Sequence, residues 1–160
     1  MSLKSIYQEV ILDHNRKPRN YGSLSHPTHH ATGHNPLCGD RIDLDVNMLN
    51  ERIEEIVFRG ESCAICKASS SMMTNAVKGR SRQEAEALIQ EFRDMLVSRE
   101  NKDFDHLGRL KVLAGVRDLP TRVKCAILPW HTLHAAMNST GDATTEADSH
   151  LNNNPVANNY

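Results

Sequence analysis

Apolar and polar positions along the chain change period several times, and each change marks an element boundary. Leu3, Ile6, Tyr7, Val10 and Ile11 recur at three- and four-residue intervals between Leu3 and Asn15, one face of an amphipathic helix that Pro18 ends. Prolines and glycines break the stretch from Arg16 to Pro36, which predicts a loop. Ile42, Leu44, Val46 and Met48 then alternate with Arg41, Asp43, Asp45 and Asn47, a half-buried strand with a solvated face. Asn50 and Glu51 make a turn, and Ile53 to Phe58 predicts a returning strand that ends at Gly60, so the two form an antiparallel hairpin. After Cys63 the helical period returns through Ala64, Ile65, Ala68, Met72 and Ala76, running to Gly79. Ser81 followed by Glu84 is a capping-box signature opening a helix from Arg82 to Val97. A charged connector from Ser98 precedes a short apolar-striped helix, His106 to Gly115, and a last helix from Thr121 to Met137 is interrupted early by Pro129. The expected fold class is α+β: a small antiparallel β-sheet flanked by α-helices.

Composition narrows the choice of function. Residues 139–160 are rich in Asn, Thr and Ser with few apolar side chains, and such a segment cannot offset its ordering entropy by burial. It is expected to be a disordered tail, leaving 1–138 as one domain. The net charge of −1, from 19 basic and 20 acidic residues, offers no nucleic-acid footprint and no attraction to an anionic membrane. Aromatics at 4% leave few stacking platforms for bases. No apolar run approaches the roughly 20 residues of a membrane span, and Met1 to Val10 lacks the apolar core of a secretion signal. The expected location is cytoplasmic, where thiols stay reduced, and four cysteines then read as metal ligands or reactive thiols rather than two disulfides. His26, His29, His30 and His34 read as a solvated loop rather than a metal site, because no third ligand joins two of them on a helical face.

The thiols fall at telling places. Cys38 and Asp40 stand in "NPLCGD" at the mouth of the first strand, with Gly39 as the bend between them. Cys63 follows the second strand and opens a helix. A hairpin makes the start of one strand and the end of the other neighbours, which draws Cys38, Asp40 and Cys63 together. Cys125 lies near the start of the last helix, where the helix dipole favours a thiolate. Three thiolates and one carboxylate make a four-coordinate zinc shell. Ordinary small buried cysteines are the competing reading of the same thiols. Arg122 and Lys124 flank Cys125 and either support thiolate character or are solvated charges at a helix start. Met72 and Met73 read as core, and Trp130 as a packing anchor.

The segments "IYQEVILDHNRKPRNYG", "NPLCGDRI", "FRGESCAICKASSSMMT" and "RVKCAILPWHTL" resemble the SufU branch of the IscU/NifU-like family of iron–sulfur assembly proteins, over about residues 3–138. The resemblance implies that family's fold, a small antiparallel sheet flanked by helices. Scaffolds of the IscU branch carry a His before the last Cys; Lys124 stands there, as in the SufU branch, and the stretch from Glu100 to Asp118 matches that branch's insertion. The resemblance further implies a zinc ion on Cys38, Asp40, Cys63 and Cys125, with Cys38 accepting persulfide sulfur from a SufS-type cysteine desulfurase and passing it to a downstream iron–sulfur assembly scaffold. Cys66 departs from the family pattern, where Ser is expected. It reads as a small buried thiol, with a substitute ligand or secondary sulfur acceptor as the other readings.

Three functions compete. A zinc-dependent sulfurtransferase is favoured over a scaffold that assembles a 2Fe–2S cluster on the same ligands, because Lys124 removes a scaffold ligand. A zinc ion that merely staples the fold ranks third, since structural sites are closed and an Asp among thiolates makes a more exchangeable shell.

Overall fold

In the computed structural model of the chain, the described residues are 3–98, 103–138 and 143–144. The order of elements is α1 (Leu3–Arg16), β1 (His29–Asn35), β2 (Asp40–Leu49), β3 (Arg52–Glu61), α2 (Ala64–Val77), α3 (Arg82–Val97), a 3-10 segment (Asp105–Val116), α4 (Pro120–Met137) and a two-residue β4 (Ala143–Thr144).

The strand order is β3-β2-β1-β4. β2 pairs antiparallel with both β1 and β3, while β4 lies parallel to β1. The expected hairpin is β2–β3: Asn50 and Glu51 both take positive φ (53° and 61°), the backbone that a two-residue turn needs to match strand twist. Ile42, Leu44 and Val46 from β2 and Ile53, Ile56 and Phe58 from β3 are buried against the helices. α4 packs on β1 and β2, α2 packs between α4 and α1, and α3 closes over α4 and the 3-10 segment. Trp130 is a packing anchor as read: it is fully buried, stacked on Phe92 at 4.3 Å, with Nε1–H donating to Ser69 Oγ at 3.0 Å.

The structure corrects four expectations. The histidine-rich stretch is not all loop, for His29, His30 and His34 lie in β1. Its buried face is made of Ala31, Gly33 and Asn35, small or polar residues that an apolar pattern misses. Gly33 faces α4 so closely that a Cβ would strike Thr132 Oγ1. The polar face of β2 is not uniformly solvated either. Asp45 is buried where residues 20–24 cross the sheet, bonded by Arg59 Nη1 (2.8 Å), His30 Nδ1 (2.6 Å) and the Leu24 amide (3.0 Å). The helix expected over His106–Gly115 is 3-10, broken at Gly108 with φ 56° and ψ −126°. α4 runs unbroken from Pro120 to Met137 through Pro129, where an interruption was expected. Leu128, Trp130 and Leu133 are all buried, and that packing offsets the one hydrogen bond the proline removes. Of the tail, Ala143–Thr144 pairs with β1, and its other residues lie outside the described ones.

Candidate metal centre

The site is assembled by strand register. Asn35 pairs with Asp40 across the β1–β2 connection, so Pro36 to Gly39 form a tight turn at one end of the sheet, closed by the Cys38 amide on the Asn35 carbonyl at 3.3 Å. Gly39 makes the bend at φ 73°, left-handed backbone that a side chain resists. On the other side Arg41 pairs with Glu61, which sets Ser62 and Cys63 alongside Asp40 as the chain leaves the sheet for α2. α4 supplies the third wall and brings Cys125 in from below.

One ligand atom each from Cys38, Asp40 and Cys125 lies within 4.8 Å of the others. Cys125 Sγ is 3.3 Å from Cys38 Sγ. Cys63 falls outside that three-residue group and borders it through the carboxylate: its amide donates to Asp40 Oδ1 at 2.7 Å, and its Sγ lies 3.8 Å from Asp40 Oδ2. Asp40 and Cys125 are buried, whereas Cys38 and Cys63 are half-exposed. The cluster is graded, with Asp40 and Cys125 inside and Cys38 and Cys63 reachable from outside. Among the described residues this group contains no histidine.

The thiols differ in acidity. Cys63 is the N-cap of α2, and its Sγ accepts from the Cys66 amide at 3.4 Å. A hydrogen bond from Cys125, opposed by burial and helped by the Cys66 amide, brings Cys63 down to about 6. Cys125, the donor in that pair and itself desolvated, is pushed up. Arg122 stands at the exposed entrance to α4. The Cys63 charge raises its guanidinium further, with Cys125 and Cys38 adding to the effect, so its field reaches all three thiols. Lys124 is half-buried beside Cys125 in the chain. Cys66 is fully buried one turn into α2, where burial pushes its thiol well up.

Sequence reasoning named Cys38, Asp40, Cys63 and Cys125 and anticipated that Arg122 stands near them. It missed Asn35, which is fully buried and whose Nδ2 donates to Cys125 Sγ at 3.7 Å. The available signal was its place five residues before Asp40 across a turn, which makes it the carboxylate's partner in the ladder.

Soft thiol donors with one carboxylate and no imidazole suit Zn²⁺ or an iron–sulfur cluster better than Mg²⁺ or Ca²⁺. Comparison with known proteins agrees in kind. The family model described as the NifU-like N terminal domain matches residues 6–126. The chain is 39% identical to the iron–sulfur cluster assembly scaffold protein IscU of Streptococcus pyogenes serotype M1, over 93% of each chain. It is 40% identical to the zinc-dependent sulfurtransferase SufU of Bacillus subtilis, over 82% of this chain and 89% of that one. Among solved structures, an iron–sulfur cluster assembly scaffold protein for the SUF system from Fervidobacterium islandicum AW-1 superposes with a TM-score of 0.77 at 30% identity, covering 83% of this chain and 97% of that chain. With its sheet, its helices and its cysteine–aspartate turn, the chain belongs to the NifU-like N-terminal domain family, in the IscU/SufU group.

Proposed function

We propose that the protein serves iron–sulfur cluster assembly as a zinc-dependent sulfurtransferase, with Cys38, Asp40, Cys63 and Cys125 holding the metal and Cys38 accepting sulfur. The observation that carries this reading is the placement of Cys38: a half-exposed thiol on a four-residue turn, 3.3 Å from a buried Cys125 and next to the exposed Leu37. When bound, zinc keeps its thiol ligands deprotonated. With zinc held by these residues, Cys38 would be the thiol freest to leave the group, because it stands half-exposed on the turn before β2. Its thiolate then attacks the outer sulfur of a persulfide on a cysteine desulfurase; the new S–S bond forms on Cys38 as the desulfurase thiolate leaves. Arg122 steadies the negative charge on the sulfur cluster throughout. Buried Asp40 and Cys125 hold their places, so the site reassembles after transfer to a downstream scaffold.

The scaffold names of several relatives support a second reading, assembly of a 2Fe–2S cluster on the same donors. Lys124, at the position where scaffolds of the IscU branch carry a histidine, counts against it. The deciding experiment mixes the zinc-loaded protein with a cysteine desulfurase, cysteine and reductant, without iron, and follows alanine release. Saturable acceleration that disappears in Cys38→Ala is expected. No acceleration, together with a coloured cluster once iron is added, overturns the sulfurtransferase reading in favour of the scaffold.

A further inference from the structure

Cys66 has no part in the function proposed above, yet it is a fourth thiol in immediate contact with the site. It occupies the third position of α2, and Cys63 is the N-cap of the same helix, so the pair forms Cys-Ala-Ile-Cys at a helix N-terminus. The Cys66 amide already donates to Cys63 Sγ at 3.4 Å. Helical side chains lean toward the N-terminus, which points Cys66 back toward Cys63. Residues three apart on a helix have Cβ atoms about 5–6 Å apart, and a disulfide needs about 4 Å. Cys63 lies outside the helix proper, with extended backbone at φ −69° and ψ 168°, so the approach is made at the cap without deforming α2. The other two thiols, Cys38 and Cys125, already face each other at 3.3 Å. Four cysteines allow three connectivities; Cys125 lies against both Cys38 and Cys63, and the cap spacing of α2 favours Cys63 with Cys66, which leaves Cys38 with Cys125.

We propose that Cys63 and Cys66 form a reversible redox pair, in which Cys63 is the thiol an oxidant reaches and Cys66 is the buried thiol that resolves it into an intramolecular disulfide. Cys63 is half-exposed and Cys66 is fully buried, which sets the order of events. With a peroxide as oxidant, the Cys63 thiolate attacks one oxygen and the O–O bond breaks, leaving a sulfenic acid and hydroxide. Cys66 sulfur then attacks Cys63 sulfur, the S–O bond breaks, and hydroxide leaves with the Cys66 proton as water. In sum, two thiols and one peroxide give one disulfide and two waters. Two equivalents of a small thiol reverse it by exchange. The disulfide takes Cys63 out of the donor set, so oxidation and metal retention oppose each other at one sulfur. The pairing rests on thiol geometry alone; its effect on the metal rests on the zinc reading above.

Trypsin separates the thiols cleanly, with Cys38 in Asn20–Arg41, Cys125 in Cys125–Tyr160, and Cys63 with Cys66 together in Gly60–Lys67. The full-length protein, stripped of metal by a chelator and kept reduced, is treated with stoichiometric hydrogen peroxide, alkylated and digested. Gly60–Lys67 is expected to lose two hydrogens and its alkylation, to regain both after dithiothreitol, and to react more slowly when zinc is loaded first. Cys63 found joined to the Cys38 or Cys125 peptide, or Cys66 alkylated throughout, overturns the proposal. With excess peroxide, which carries an unresolved sulfenic acid on to the irreversible sulfinic acid, zinc capacity of Cys66→Ser after dithiothreitol is expected to fall below that of the wild type; equal recovery overturns the resolving role. Zinc stoichiometry of the untreated, reduced protein is measured alongside, so a failure of the zinc reading is distinguished from a failure of the disulfide.

Discussion

Ser69 and Ser70 are adjacent, both fully buried, and predicted to differ sharply when truncated. The Ser69 hydroxyl spans two helices, donating to the Ala126 carbonyl of α4 at 2.6 Å and accepting from Trp130 Nε1 at 3.0 Å. Ser69→Ala strands the Trp130 N–H away from solvent, because the indole is stacked on Phe92 and only 1% exposed. A buried donor left unpaired costs about 1–3 kcal/mol. The Ser70 hydroxyl instead donates to the Cys66 carbonyl at 2.8 Å, four residues back in its own helix. That carbonyl keeps its helical partner, so Ser70→Ala should cost no more than about 0.5 kcal/mol. The expected gap is therefore about 0.5–3 kcal/mol, or a melting temperature lower by about 1–12 °C in Ser69→Ala at this chain length. Urea unfolding of the two variants, with unchanged m-values, measures it directly. Equal losses in both variants, or a loss below about 0.5 kcal/mol at Ser69, would refute the reasoning. The comparison bears on the site because Ser69 ties the helix opened by Cys63 to the helix carrying Cys125.

Other outcomes follow from the same structure. Gly39→Ala should destabilise by about 1–2 kcal/mol through backbone strain alone, since its Cβ would meet no atom within 4 Å; Gly39→Asn, which tolerates the left-handed region, should lose less in the same denaturation assay. Asp40→Asn should still accept the Cys63 amide but weaken zinc binding by at least about tenfold in chelator competition; unchanged affinity would remove Asp40 from the donor set. Burial, then the Arg19 charge, holds the His14 imidazole below 6.5, and its Nδ1 lies 2.7 Å from Ser71 Oγ. Below that value the unfolded chain binds more protons than the folded one, so stability should fall as pH drops from about 7 toward the folded value. His14→Gln should flatten that slope in reduced, metal-free protein; an identical slope would dismiss His14 as its source.

Local physics is legible in the chain before it folds. The period-two run of β2, the left-handed Asn50–Glu51 turn and the Ser81–Glu84 capping box each depend on residues a few positions apart, and each was found where expected. The placement of Cys38, Asp40 and Cys63 together was also legible, because a hairpin with a known turn determines which of its ends meet. β1 escaped notice because its inward face is Ala31, Gly33 and Asn35, whose burial is imposed by α4 and not by their own hydropathy. Pro129 passing through α4 and Asp45 buried in an ion pair are likewise decided by what packs against them from far along the chain. The same holds at the site. That Asn35 reaches Cys125, ninety positions away, and that Cys125 faces Cys38 while Cys63 caps α2 under Cys66, depends on how α4 settles across the sheet. The sequence by itself determined which side chains are available to hold a metal and which turn presents them. Only the tertiary structure decided which thiol faces which, because that pairing is set by long-range packing whose contacts leave no periodic trace in the chain.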